Sequence, residues 1–264
     1  MTYIKGVDKI KNFFLDLFFP CFCLGCQKEG SYLCEDCKAT LDISEFNYCL
    51  CNKNPLLLPP LQKNACLRRQ GKCQKCQSKN LSGLYFALPY KEKSLTRKLI
   101  HQFKYEPYTK ELAKILAKLL IEHFIITNKN TEDIFENSVL IPVPLDNKKL
   151  KNRGYNQSEE LAKELAKIIK IPVVSNYLIK TKTTKSQMEL SGKEREKNLQ
   201  GAFMVKNPDN LKRAISDLAL RGFPQKIFLV DDVYTTGSTM EECARTLKQA
   251  GAKQVWGITV AREE

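Results

Sequence analysis

Residues 227–239 read IFLVDDVYTTGST. Four apolar residues run into two adjacent carboxylates, Asp231 and Asp232, and then into a hydroxyl-rich loop, Thr235-Thr236-Gly237-Ser238-Thr239. Neighbouring carboxylates repel each other and are costly to desolvate, so a ligand must justify them. The apolar run reads as a buried strand and a helix is expected to begin near Ser238. Backbone N–H groups at a helix start, ringed by hydroxyls, form an anion site, and Gly237 permits a tight turn and close approach. Acids beside such a site repel a phosphate but accept hydrogen bonds from sugar hydroxyls, as an acid does for ribose in dinucleotide folds. Loop and acids together describe a ribose carrying a 5′-phosphate.

Two other uses of paired acids fit less well. A receiver domain carries its acid pair near the N-terminus, whereas only 264 − 232 = 32 residues follow this one. A Mg²⁺ site of the NTPase kind needs a G-x-x-x-x-G-K-[ST] loop, which the sequence lacks.

A second chemistry lies in the cysteines, ten of eleven of which fall between Cys21 and Cys76. Cys23-Leu-Gly-Cys26 and Cys34-Glu-Asp-Cys37 form two C-x2-C knuckles seven residues apart. Such a pair can supply four thiolates to a tetrahedral Zn²⁺. A second cluster comprises Cys49-Leu-Cys51 and Cys73-Gln-Lys-Cys76, with Cys66 between them. Spacing alone does not decide which pairs share a metal. A closed four-cysteine site is structural, without an open position for substrate, and supplies folding energy that a small ribbon cannot obtain by burial. Lys72, Lys75 and Lys79 flank the last knuckle, where they can face water or nucleic acid.

The elements that must hold these groups follow from hydrophobic period. Strands are expected at Leu84–Tyr90, Ser138–Val143, Ile227–Val230 and Val255–Val260. Helices are expected at Leu95–Phe103, Leu112–Ile126, Gln157–Ile169 and Ser238–Ala250, the last stopped by Gly251. Alternating strands and helices indicate an α/β parallel sheet, whose ligands bind beyond the carboxyl ends of the strands. The polar, basic stretch 180–197 fits a flap, and 207–225 reads as an inserted short helix.

The chain has 264 residues and a formal net charge of +14, from 43 Lys and Arg against 29 Asp and Glu. A basic surface suits phosphate-rich ligands and nucleic acid. The apolar run Phe13–Phe19 contains Asp16 and is too short to span a bilayer, and no small-residue cleavage site follows it. Residues 3–19 suit an amphipathic helix packed on the protein's own core, and the chain is expected to be cytoplasmic.

VDDVYTTGST resembles the ribose-phosphate signature of type I phosphoribosyltransferases. The resemblance implies Asp231 and Asp232 on the ribose 2′- and 3′-hydroxyls, and Thr235, Thr236, Gly237, Ser238 and Thr239 around the 5′-phosphate of phosphoribosyl pyrophosphate. Ile141-Pro-Val-Pro-Leu145, Arg153-Gly-Tyr-Asn-Gln157, the pattern Thr184, Gln187, Leu190, Arg195, Asn198, Phe203, and LIHQFKY at 99–105 narrow it further. With the cysteine knuckles ahead of them, these segments are similar to the ComF family (ComFC/GntX-like). The implied fold class is α/β, a type I phosphoribosyltransferase-like parallel sheet flanked by helices at 83–264. A helix and cysteine-rich zinc-ribbon module at 1–82 precedes it. The implied metal ligands are Cys23, Cys26, Cys34, Cys37, Cys49, Cys51, Cys73 and Cys76. Pro144, Arg153, Gly154, Gln187 and Arg195 are the implied pyrophosphate and flap residues. Structural Zn, and Mg with phosphoribosyl pyrophosphate, are the implied cofactors.

The family resemblance implies a role in natural transformation and DNA uptake at the cytoplasmic side, peripheral to the inner face of the membrane. Its implied partners are single-stranded DNA and a ComFA-type helicase. The alternative is an active phosphoribosyltransferase of nucleotide metabolism or salvage, releasing pyrophosphate. The chain departs from the family at Cys49-Leu-Cys51, where C-x2-C is usual, and at the longer insertion 207–225.

Overall fold

The computed structural model describes residues 20–44, 50, 76, 78–182, 199–206 and 226–263. Expectations for residues 3–19, 207–225 and most of the 180–197 flap lie outside these residues, as do Cys49, Cys51, Cys66, Cys73, Gln187 and Arg195.

In chain order the elements are α1 (Glu35–Ala39), β1 (Gly83–Tyr90), α2 (Leu95–Lys104), α3 (Leu112–Ile126), α4 (Thr131–Phe135), β2 (Ser138–Pro142), α5 (Asn147–Arg153) and α6 (Gln157–Ile169). There follow β3 (Leu178–Lys180), β4 (Phe203–Val205), β5 (Lys226–Tyr234), α7 (Ser238–Gln249) and β6 (Gln254–Glu263). Four strands make one parallel sheet in the order β1-β6-β5-β2, while β3 and β4 pair antiparallel as a separate ribbon. The sheet agrees with the α/β class read from the sequence, and the ribbon adds to it.

Side chains alternate across a strand, so a strand covered on both faces feeds two cores. In β5, Ile227 and Leu229 join one core with Met240, Ala244 and Leu247 of α7. Phe228 and Val230 join the other, with Leu99 and Phe103 of α2, Leu116 and Leu120 of α3, and Leu161 and Leu165 of α6. Phe103, Phe124 and Phe228 are essentially sealed from solvent; burial of such a side chain stabilises by about 1.5–3 kcal/mol.

Helix ends follow local chemistry. Ser94 Oγ accepts from Arg97 N at 3.2 Å and starts α2; Asn156 Oδ1 accepts from Ser158 N at 3.1 Å and starts α6. The basic run after Pro144, for which the hydrophobic period announces no element, forms helix α5. Asp146 Oδ1 caps its first turn through Lys149 N at 3.0 Å, and Gly154, at φ 74°, ends it.

Residues 20–44 lie against the second core. Leu33 is buried in it, and Leu24, Tyr32, Leu41 and Ile43 pack on it. Ser44 N donates to Ala87 O of β1 at 2.7 Å, and His123 Nδ1 of α3 lies 2.6 Å from Ser44 O. A carbonyl only accepts, so Nδ1 carries the proton; burial lowers the His123 pKa and keeps the ring neutral. Lys38 pairs with Glu122 of α3 at 2.6 Å. No helix among the described residues is long and apolar enough to cross a membrane.

Candidate functional site

The acid pair sits inside β5 rather than after it. The strand continues to Tyr234 because β6 runs beside it, pairing Asp231 with Thr259 and Tyr234 with Arg262. On the other side β2 stops at Pro142, opposite Val230. One flank of β5 is thus released just where the acids begin, and a cleft of about 400 Å³ opens there.

Alternation turns Asp232 toward the α2 face, and the structure puts a partner in its path. Lys104, in the last turn of α2, reaches Asp232 Oδ1 at 2.8 Å. Burial alone would lower the Lys104 pKa, but Asp232 outweighs it and the net shift is upward, so the ammonium stays charged. Asp231 has no ion pair among the described residues. Its Oδ1 accepts from Ser158 Oγ and from the Asp232 backbone N–H, both at 2.9 Å. Burial first, and then the neighbouring Asp232 charge, push its carboxyl up to about 7, against the opposing pull of Lys104 and these two donors. The second oxygen of each carboxylate has no donor among the described residues, so the pair presents two acceptors to the cleft.

The loop after the acids leads into α7. Gly237 is the N-cap at φ 78°, a left-handed conformation that favours glycine. A Cβ there would also lie 2.1 Å from the Tyr234 hydroxyl. The N-cap Gly237 has no side chain to offer, and Thr236 Oγ1 accepts from Ser238 N at 3.4 Å; the first turn of α7 lies at the cleft. Thr236 Oγ1 and Ser238 Oγ are 2.9 Å apart, and Thr235 and Thr239 also line the cavity. The first-turn acid Glu241, which would oppose an anion, instead binds the backbone of Asn80 and Leu81.

Opposite the loop, Pro144 and Arg153 line the cleft, whereas Gly154 is exposed and shapes only the end of α5. Among the described residues, Arg97, Lys104, Lys149, Arg153 and Lys180 are five cations around the cavity, against the three acids Asp231, Asp232 and Glu263. Lys180 is almost sealed and lies 3.9 Å from Asp146. Burial, followed by Lys149, lowers its pKa. The cavity therefore joins an acceptor pair and a helix N-terminus to a cationic wall, which suits a phosphorylated sugar.

Sequence reasoning gave Lys104 no role and missed Ser158. Lys104 lies in the quoted LIHQFKY segment and Ser158 directly follows the quoted Arg153-Gly-Tyr-Asn-Gln157, but nothing in those motifs indicates contact with an acid 73 to 128 residues away. Gln157 is likewise in the cavity wall, and its buried Nε2 has no hydrogen-bond partner among the described residues.

The four sulfurs of Cys23, Cys26, Cys34 and Cys37 converge, with ligand atoms all within 4.8 Å of one another. Sulfurs of a tetrahedral zinc site with ~2.3 Å bonds lie about 3.8 Å apart, and Cys26 Sγ and Cys34 Sγ are 3.6 Å apart. The chemistry of the set also fits a cation. The Cys23 thiol comes down to about 6 as backbone N–H groups overcome its burial, while its sulfur neighbours, Cys26 first, push Cys37 up to about 12. Four thiolates can coexist there only around a metal charge. Cys76 lies in the first core, apart from this cluster.

Residues 155–263 match the model of the phosphoribosyl transferase domain family. Competence protein F of Haemophilus influenzae is 34% identical over 167 residues, which cover 62% of this chain and 67% of the relative. DNA utilization protein YhgH of Escherichia coli is 32% identical over 160 residues, covering 60% of this chain and 64% of the relative. Competence protein ComFC of Streptococcus pneumoniae is 26% identical over 239 residues, or 89% of this chain and 90% of the relative. At a third identity over two thirds of a relative's length, this chain belongs to the ComF family of phosphoribosyltransferase-domain proteins.

Proposed function

We propose that the chain binds phosphoribosyl pyrophosphate with Mg²⁺ in the β5–α7 cleft and serves DNA uptake and use, handling single-stranded DNA. The observation that carries the ligand is the acid pair, with one oxygen on each carboxylate that has no donor among the described residues, beside the N-terminus of α7. Two vicinal hydroxyls answer the two oxygens, and the 5′-phosphate answers the N-terminus of α7. Arg153 is the pyrophosphate contact we favour, because a guanidinium fork matches phosphate oxygens. Mg²⁺ would neutralise the pyrophosphate, and carboxylates and waters are the hard ligands it takes.

The DNA role is supported by the names of the relatives, two competence proteins and a DNA utilization protein. A ComFA-type helicase and a position on the cytoplasmic side of the membrane follow from the family resemblance and belong to the same proposal. So does the division into a metal-binding module at 1–82 and a transferase-like domain at 83–264, with zinc as the metal of the first knuckle.

Titration calorimetry with phosphoribosyl pyrophosphate and Mg²⁺ tests the site. Asp231→Asn with Asp232→Asn is expected to abolish binding; unchanged affinity would remove the assignment. Binding of a single-stranded oligonucleotide over a salt series tests the second half, with a steep loss of affinity expected as salt rises. No binding at low salt would sink it.

The phosphoribosyl transferase domain match favours a second reading, transfer of the ribose phosphate to an acceptor with release of pyrophosphate. Stabilisation of an oxocarbenium-like state needs held phosphates and a neutralised leaving group, which the cationic wall can supply. A pyrophosphate-release assay across bases and nucleotides separates transfer from binding alone.

A further inference from the structure

We propose that helix α5 is a docking surface for single-stranded nucleic acid, gripping the sugar–phosphate backbone of a strand outside the β5–α7 cleft. The proposal rests on the DNA-handling reading and names the surface that would carry it.

The first observation is uncompensated charge. Helix α5 reads NKKLKNR, and residues 147–158 contain no acid. Lys148, Lys149, Lys151 and Arg153 have no ion pair among the described residues. The preceding acid, Asp146, is buried: its Oδ1 accepts from Lys149 N at 3.0 Å and its Oδ2 lies 3.9 Å from Lys180. Helix α6 shows the contrast. There Lys163 reaches Glu159 at 2.9 Å and Glu160 at 3.2 Å, and Lys167 pairs with Glu164. Each α6 lysine is thus answered by an acid three or four residues away on its own helix, whereas the field of α5 points outward uncancelled. That field is felt inside the fold too, since Lys149 is the cause, second to burial, of the lowered Lys180 pKa.

The second observation is exposure. A helix on a folded domain ordinarily turns an apolar stripe to the core. No residue of α5 is buried, and Leu150, between two lysines, is 41% exposed. The helix is held by its ends, the Asp146 cap and the Gly154 stop. Cations flanking an apolar side chain suit a strand whose bases are unpaired, because a duplex keeps its base faces inside the stack.

The third observation is placement. Lys149 and Arg153, one turn apart, line the cleft, whereas Lys148 and Lys151 are exposed and outside its lining. One cationic face therefore serves the cleft, and the other is open to a strand whether or not the cleft is filled.

Fluorescence anisotropy of a labelled oligothymidylate over a salt series tests the surface on the full chain. Each phosphate contact contributes about 0.7 to the slope of log affinity against log salt. Lys148→Ala with Lys151→Ala is expected to lower that slope by about 1.4 and to weaken binding roughly 25-fold at ~0.1 M salt. Ribose 5-phosphate binding should stay as in the wild type, since neither lysine lines the cleft. Lys163→Ala with Lys167→Ala removes the same charge from α6 and should leave the slope unchanged. Leu150→Ser should weaken oligothymidylate binding and not that of a duplex of equal length. The substituted side chains are all exposed, so the melting temperature should not move.

If the α5 double variant keeps the wild-type slope, or if both lysine pairs lower it equally, α5 is not the surface and the DNA-handling reading stands. If the wild type binds no oligonucleotide at low salt, that reading falls and the α5 proposal with it. Equal affinity for a duplex, with Leu150→Ser inert, overturns the assignment to single strands. Loss of binding to phosphatidylglycerol vesicles in the α5 double variant, with oligonucleotide affinity unchanged, overturns the proposal in favour of an anionic membrane surface.

Discussion

The cysteine knuckle and the β5–α7 cleft both force like charges together, and they resolve the conflict differently. In the knuckle four sulfurs face inward, and a single cation would satisfy all of them. In the cleft one lysine answers Asp232, while Asp231 is left with a carboxyl pushed up to about 7 and two oxygens remain uncommitted. Full internal compensation makes a stabilising site; partial compensation leaves an interaction for a ligand to complete. The knuckle should therefore govern stability with little direct effect on ligand chemistry, and the cleft the reverse.

The largest effect tests the knuckle. Chelation at neutral pH, or Cys26→Ser with Cys37→Ser, is expected to cost on the order of 5 kcal/mol or more. Calorimetric melting should show it, and an unchanged melting curve would end the structural-metal assignment. Lys104→Met comes next, because it strands a nearly buried Asp232. A fully buried broken pair costs about 3–5 kcal/mol, and with Lys104 partly exposed we expect roughly 2–4 kcal/mol by urea denaturation. Adding Asp232→Asn should recover most of it, and a double variant no better than the single would show that Lys104 acts through packing instead.

Gly237→Ala should cost about 1–3 kcal/mol, from the left-handed backbone and the clash with Tyr234, and should weaken ribose 5-phosphate binding. A variant of native stability would show that the loop relaxes freely. Asp231→Asn should do the opposite to stability. The folded-state pKa of Asp231 is raised from 3.8 to about 7, so between those values the unfolded chain ionises while the folded one keeps its proton. This group therefore lowers stability as pH climbs through that window, and its effect levels off above it. The variant should lose stability less steeply between pH 4.5 and 7.5, by up to about 3 kcal/mol, while losing sugar binding. Parallel stability curves would remove the coupling. The smallest expected effect is that of Lys38→Ala, about 0.5–1 kcal/mol, since the Lys38–Glu122 pair is partly exposed. A much larger loss would mean that this ion pair is central to seating the knuckle on α3.

The elements that read well from sequence are those with a strong local period. IFLV, the α7 pattern and the paired C-x2-C motifs each carry their own signal, and the observed β5, α7 and four-sulfur cluster contain them. The β5 boundary was short by several residues, because the strand's extension depends on pairing with β6, which local pattern does not reveal. Helix α5 was missed because its lysine-rich run has no apolar stripe; only the Asp146 cap and Gly154 stop could have indicated it. The β3–β4 ribbon was missed because three-residue strands are too short to show alternation.

By itself, the sequence determined which groups this protein brings to a ligand: two acids, a hydroxyl loop at a helix start, and thiols spaced for a metal. These are contiguous, so backbone geometry alone delivers them together. Only the tertiary structure decided how the acids are tuned. The sheet order β1-β6-β5-β2 sets strands from the middle of the chain beside strands from its end. That order carries Lys104 and Ser158 to acids far along the chain and assembles His101, Tyr105 and Arg153 at one rim. Such meetings depend on how layers pack across the whole fold, which no local periodicity encodes.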